Sequence, residues 1–111
     1  LTNASALDVH WYTRTVGQER LAEELERFRE IGVEADVRKG NDGTYRFHVS
    51  LGSGSNLIMV CPPEYPVFPP EVAVYGDEDN NYEPVASNIL DTWSLYQYLA
   101  DLVEEQRPNL A

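Results

Sequence analysis

The chain has 111 residues, 42% hydrophobic and 11% aromatic, with a net charge of −11 from 19 acidic and 8 basic side chains. That length fits one domain with a modest core, and the composition is that of a folded protein rather than a disordered one. So acidic a surface repels phosphate backbones and anionic lipid, which speaks against nucleic-acid or membrane binding, and no apolar run approaches the ~18 residues of a bilayer span.

No secretory signal pattern is present, and a chain that opens on Leu1 reads as a processed product or an excised domain. The single cysteine, Cys61, leaves no internal disulfide and fits a reducing compartment, so an intracellular location, cytoplasmic or nuclear, is expected. Asn3-Ala4-Ser5 matches a glycosylation sequon, a pattern short enough to arise by chance.

Residues 1–16 show no clear period and are read as an N-terminal extension or linker, with Trp11 and Tyr12 placed to dock on something. The domain is expected to span 17–111. From Gln18 to Ile31 the pattern is helical. Leu21, Leu25 and Phe28 fall at i, i+4 and i+7, Ile31 closes the stripe, and Gly32 supplies the C-cap. The opposite face carries Glu19, Arg20, Glu23, Glu24, Arg27 and Glu30 and is predicted to be solvated, with Glu23 and Arg27 as an i,i+4 pair. Were that face a docking surface instead, Arg20, Glu24 and Arg27 would be its contact residues.

Alternation with period two follows. Val33, Ala35 and Val37 point one way, and after the turn Gly40-Asn41-Asp42-Gly43 so do Tyr45, Phe47, Val49 and Leu51. Residues 52–56 make a second turn, Leu57–Cys61 a short buried strand, and Val72–Tyr75 a fourth strand. Asp77–Asn81 reads as a polar loop, since it lacks the spaced ligands, glycine and final glutamate of an EF-hand. A last helix is predicted from Thr92 to about Gln106, N-capped by Asp91 and ended by Pro108. Trp93, Tyr96, Ala100 and Val103 form its stripe, broadened by Leu95, Leu99 and Leu102. The expected fold is α+β: an N-terminal helix, a four-stranded antiparallel meander and a C-terminal helix packed on the sheet.

The stretch "CPPEYPVFPPEV", residues 61–72, admits a catalytic cysteine, a proline-rich ligand or a structural turn. A cysteine nucleophile needs a base or a cation to lower its pKa. Cys61 ends an apolar strand, its nearest charge is Glu64, and His48 alternates onto the opposite sheet face, so an inert, buried thiol is expected. Pro66–Pro69 fits P-x-x-P formally, but it lies between two predicted strands, where proline ends one and steers the chain to the next. One cysteine and two histidines, His10 and His48, give no zinc spacing, and Gly52-Ser53-Gly54-Ser55 lacks the lysine of a phosphate loop. No cofactor, metal or catalytic residue is expected.

An apolar strand, then Pro-x-x-Tyr-Pro-x-x-Pro-Pro-x-Val, another strand and Trp-Ser before a last helix resembles the ubiquitin-conjugating (UBC-like) fold. Ubiquitin-conjugating-enzyme variants (UEV) and RWD domains share that architecture. The elements here are Tyr65, Pro66, Pro69, Pro70 and Val72, with Trp93-Ser94, and the resemblance covers about 18–106. It implies that Tyr65 and the prolines brace the turn after the third strand. It also implies a His-Pro-Asn motif and a catalytic cysteine between the fourth strand and Trp93, and both are missing. Glu83-Pro84-Val85 stands nearest to the first, and Asn88 or Ile89 where the cysteine would fall. The long C-terminal helices of the enzymes are also missing within this sequence.

The resemblance therefore implies a catalytically inactive UEV/RWD-type interaction module, a domain or subunit of a larger assembly. Its expected partner is a protein, such as a ubiquitin-like protein or a ligase or activating-enzyme component. In active members the first helix and the Tyr-Pro loop meet those partners, which adds Val67 and Phe68 as candidate protein-binding residues. In that family a phenylalanine often follows Tyr-Pro directly, whereas here Val67 does, and Phe68 comes next. The alternatives are a divergent conjugating enzyme that uses Cys61, and a purely structural domain of its parent.

Overall fold

The computed structural model describes residues 15–40, 43–52, 54–76 and 79–107. Trp11 and Tyr12, the sequon and Pro108 lie outside them. The order is α1 (Thr15–Glu30), β1 (Ala35–Lys39), β2 (Tyr45–Gly52), β3 (Ser55–Cys61), β4 (Glu71–Gly76), β5 (Asp79–Pro84), α2 (Asn88–Asp91) and α3 (Leu99–Gln106). The strands form one antiparallel sheet in sequence order, an α+β arrangement with five strands rather than the four expected.

Helix α1 ends where its sequence says it should. Gly32 takes φ 74°, its N–H donates to the Arg29 carbonyl at 3.0 Å, and the Val33 N–H reaches back to the Phe28 carbonyl at 2.9 Å. This double closure satisfies carbonyls that the last turn would otherwise leave open. Arg27 and Arg29 in that turn also oppose the negative end of the helix dipole.

The register puts the alternating apolar residues on one face. Val37 pairs with Phe47, Phe47 with Met59, and Met59 with Val72, while Ala35, Val49, Leu57 and Val74 form the neighbouring row. Phe28 of α1 and Leu99, Leu102 and Val103 of α3 complete this core, all at most 1% exposed. Burial of each such large side chain contributes about 1.5–3 kcal/mol. Phe28 meets Phe47 with ring centroids 6.1 Å apart. Leu25, expected in the buried stripe, is 39% exposed, because the side of α1 that turns inward carries Arg20, Glu24 and Phe28 instead.

Strand β5 takes in Asp79–Asn81 of the predicted polar loop, whose first two residues lie outside the described ones. Its residues have poor strand propensity, but the edge of β4 offers them a ladder: Ala73 pairs with Pro84 and Val74 with Glu83. Tyr82 then stacks on Tyr75, centroids 4.9 Å apart, on the face away from the core. Pro84, unable to donate, sits at the end of this outer strand.

The last predicted helix is also corrected. Helix begins at Asn88 rather than Thr92, N-capped by Ser87, whose hydroxyl accepts from the Leu90 N–H at 3.0 Å. It stops at Asp91, with Thr92 as its C-cap, and resumes only at Leu99. Residues 93–98 leave the helix because their polar groups are claimed elsewhere, as the site below shows.

Candidate functional site

Three buried polar side chains join α1, the proline turn and the start of α3. Arg20 and Glu24 were predicted on a solvated face, yet they are 8% and 0% exposed. Arg20 Nε donates to Glu24 Oε2 at 2.9 Å, and the Tyr65 hydroxyl donates to the same carboxylate oxygen. Glu24 Oε1 accepts from the Leu99 N–H at 2.9 Å, so a buried carboxylate caps the first turn of α3. The helix spacing is legible in the sequence, since 20, 24 and 28 share one face. Hydrophobicity alone assigned that face to solvent.

Arg20 does more than pair. Its Nη1 donates to the Leu95 carbonyl at 2.8 Å, and its Nη2 to the Gln97 carbonyl and, at 3.2 Å, to the Tyr65 hydroxyl. In a continuous helix those two carbonyls would accept from residues 99 and 101. Held by Arg20 instead, they keep 93–98 as a loop. The guanidinium also lies 3.8 Å from the Tyr98 ring centroid, and Arg27 lies at the same distance from that ring. The Tyr98 hydroxyl donates to Glu23 at 2.9 Å. Glu23 and Arg27, paired with each other in the sequence reading, thus both engage Tyr98.

The proline turn is fixed from its other side by Trp93. The Trp93 indole N–H donates to the Pro66 carbonyl at 2.8 Å, and its ring sits 5.8 Å from that of Tyr65. The Tyr65–Pro66 peptide bond is cis. Pro70 is buried, Pro69 exposed, and Tyr65 is 1% exposed. Tyr65, Pro66 and Trp93 are therefore joined, and Arg20 and Glu24 meet them at the Tyr65 hydroxyl.

Electrostatics follow from burial. Burial pushes the Glu24 carboxyl up, and Arg20, Tyr65 and the Leu99 N–H pull the other way without cancelling it. Burial works against the Arg20 charge, but Tyr65 and Glu24 more than offset it and hold the guanidinium above its ordinary pKa. The Tyr65 phenol is driven far above its usual value by burial and then by Glu24. All three are engaged with one another inside the protein. Their chemistry is that of a clamp.

What the clamp holds outward is apolar. Val67 and Phe68 at the tip of the proline turn are 64% and 55% exposed, and Leu95 and Tyr96 in the clamped loop are 52% and 88% exposed. Leu95 and Tyr96, expected in the stripe of the last helix, instead point out. The Trp93–Pro66 hydrogen bond fastens the two loops together, so these four side chains stand on a braced base. Of the five candidate protein-binding residues, Val67, Phe68 and Arg27 are exposed. Arg20 and Glu24 are too buried to touch a partner and serve as its support.

Cys61 ends β3 at 0% exposure, inside the core. Burial, and then Glu24, raise its thiol pKa well above the ordinary value. Asn88 and Ile89, where the resemblance would place a cysteine, form the first turn of α2, and Glu105 accepts their N–H groups at 2.9 and 3.4 Å. His48 lies on the sheet face away from the core, as expected, with Nδ1 2.9 Å from the Tyr75 hydroxyl. Among the described residues no helix is long and apolar enough to cross a membrane, and no group of three or more His, Cys, Asp or Glu side chains could hold a metal ion.

Comparison of the chain with family models, curated proteins and solved structures gives no match.

Proposed function

We propose that this chain is a non-catalytic protein-interaction module of the UBC/RWD type, serving as a domain or subunit of a larger assembly linked to ubiquitin-like conjugation. The observation that carries the reading is the set Val67, Phe68, Leu95 and Tyr96, exposed on two loops that a buried ion pair and an indole hydrogen bond hold in place. Large apolar side chains gathered on a rigid base are the usual anchors of a protein interface. The UBC-type reading draws support from the order helix, antiparallel meander, Tyr-Pro turn and Trp93 fastened to that turn.

A photo-crosslinking amino acid at position 68 or 96, in the cells that make the protein, tests the interaction. A protein partner captured from both positions, and not from exposed Glu30, is expected. Equal capture from all three would count against the patch.

The second reading, a conjugating enzyme with Cys61 as nucleophile, needs that thiol to reach an activated ubiquitin-like protein. Full burial and the raised pKa oppose it. Incubation with an activating enzyme, ATP and a ubiquitin-like protein is expected to give no reductant-sensitive adduct. An adduct abolished by Cys61→Ala would make the chain an enzyme.

A further inference from the structure

From the charge distribution around the patch we infer that its partner is a cationic protein segment, in which lysines or arginines flank an apolar anchor. This rests on the reading of Val67, Phe68, Leu95 and Tyr96 as a docking surface, and adds the chemistry of what docks. All 8 lysines and arginines of the chain fall outside residues 47–106, while more than half of its 19 acidic residues fall inside that span. Both patch loops belong to it.

Exposed acidic residues lie in or next to the two loops that carry the apolar side chains. Exposed Glu64 lies in the same turn, its carbonyl accepting from the Val67 and Phe68 N–H groups at 3.0 and 3.3 Å. Exposed Glu71 follows Pro69-Pro70 at the start of β4. On the second loop, exposed Asp91 precedes Thr92 and Trp93, and the Trp93 indole is bonded to Pro66. The two arginines of α1 that reach this end are already engaged: Arg20 is buried in the clamp, and Arg27 lies over Tyr98 beside Glu23.

A partner bringing its own carboxylates to this rim would face like charge with little cationic relief. A partner bringing lysine or arginine would gain at each one, and the attraction would reach about 8 Å at physiological ionic strength. The apolar four supply the area that excludes water, and the rim supplies sign selectivity and encounter rate. An anionic partner such as nucleic acid is disfavoured by the same field.

The test is selection of displayed random linear peptides on the intact chain, followed by affinity measurements with synthesised winners. Expected winners carry several lysines or arginines around an aromatic or aliphatic residue. Phe68→Ser with Tyr96→Ser should weaken them by about thirtyfold or more, the loss typical of anchor side chains. Glu64→Gln with Asp91→Asn should weaken them by several fold, and raising ionic strength from about 0.05 M to about 0.5 M by about tenfold. All four residues are exposed, and an unchanged unfolding midpoint confirms that the variants fold.

Winners that need Phe68 and Tyr96 but are neutral or acidic would overturn the cationic partner and leave the docking surface standing. Basic winners indifferent to Phe68 and Tyr96 would overturn both, as would a selection that yields no patch-dependent binder. Concentration-dependent self-association abolished by Phe68→Ser with Tyr96→Ser would replace the cationic segment by a second copy of this chain.

Discussion

Replacing Glu24 by alanine tests whether the buried clamp holds the protein together. The carboxylate is wholly buried and accepts from Arg20 at 2.9 Å, from the Leu99 N–H at 2.9 Å and from the Tyr65 hydroxyl. Its loss leaves Arg20, itself 8% exposed, as a buried cation with only neutral acceptors. Breaking a buried pair by removing one partner costs about 3–5 kcal/mol. A domain of this size has a total stability of about 5–15 kcal/mol, so Glu24→Ala should remove a large part of it.

Tyr65→Phe is the milder arm. It deletes one hydroxyl that donates to Glu24 and accepts from Arg20 at 3.2 Å, an expected loss of about 1.5–3 kcal/mol for bonds to charged groups. Arg20→Met with Glu24→Leu should cost clearly less than the two single changes added together, because neither charge is then left alone, with a coupling of about 2–3 kcal/mol. Urea unfolding followed by tryptophan fluorescence reads all of these, and Trp93, 5.8 Å from Tyr65, reports the site locally. Additive costs in the double variant, or a Tyr65→Phe loss below about 0.5 kcal/mol, would refute the clamp.

Two further predictions concern titration and reactivity. Burial, then Arg38 and Arg46, lower the folded pKa of His48 below its ordinary 6.5, against an opposing pull from Asp36. The unfolded chain therefore takes up the proton first: the stability tied to neutral His48 is complete above about pH 6.5 and is lost as pH falls below it. His48→Gln should flatten the pH dependence of the urea midpoint on that acid side, and an unchanged slope would show that His48 does not contribute. Cys61 should resist an aromatic disulfide reagent in the native protein and react on unfolding, with a rate that follows the urea transition. Rapid native labelling would contradict its place in the core.

The parts of the fold legible in the sequence were those with a period. Tyr45, Phe47 and Val49 alternate, and the register of β2 with β3 puts them on one face, as the period of two in a strand requires. Gly32 closes α1 as the pattern implies. The errors lie where a residue's partner is far away in the chain. Arg20 and Glu24 look like solvent residues until Tyr65, Leu95, Gln97 and Leu99 are brought beside them. Tyr96 fits a helical stripe, and what removes it from a helix is an arginine on α1. Asp79–Asn81 read as part of a polar loop because strand β5 forms by pairing with the edge of β4, which the local sequence does not signal.

The candidate site divides in the same way. Val67 and Phe68 were named through the resemblance of the Tyr-Pro turn to the UBC-like pattern, and both are exposed, although Tyr65 in the same turn is buried. Leu95 and Tyr96 could not be named from the sequence, since the signal that exposes them is carried by backbone carbonyls rather than by residue type.

By itself, then, the sequence determined which residues share a strand face, where α1 stops, and that a proline turn separates β3 from β4. These are local consequences of side-chain alternation, of a glycine at positive φ and of fixed proline backbones. Only the tertiary structure decided that Arg20 and Glu24 of the charged helix face would be buried, that the last helix would break at 92–98, and that Leu95 and Tyr96 would be left facing water. The physical reason is that a buried charge must find its partners wherever the chain supplies them. Here Arg20 found them in carbonyls 75 and 77 residues away, and the loop that gave them up carries half of the exposed patch.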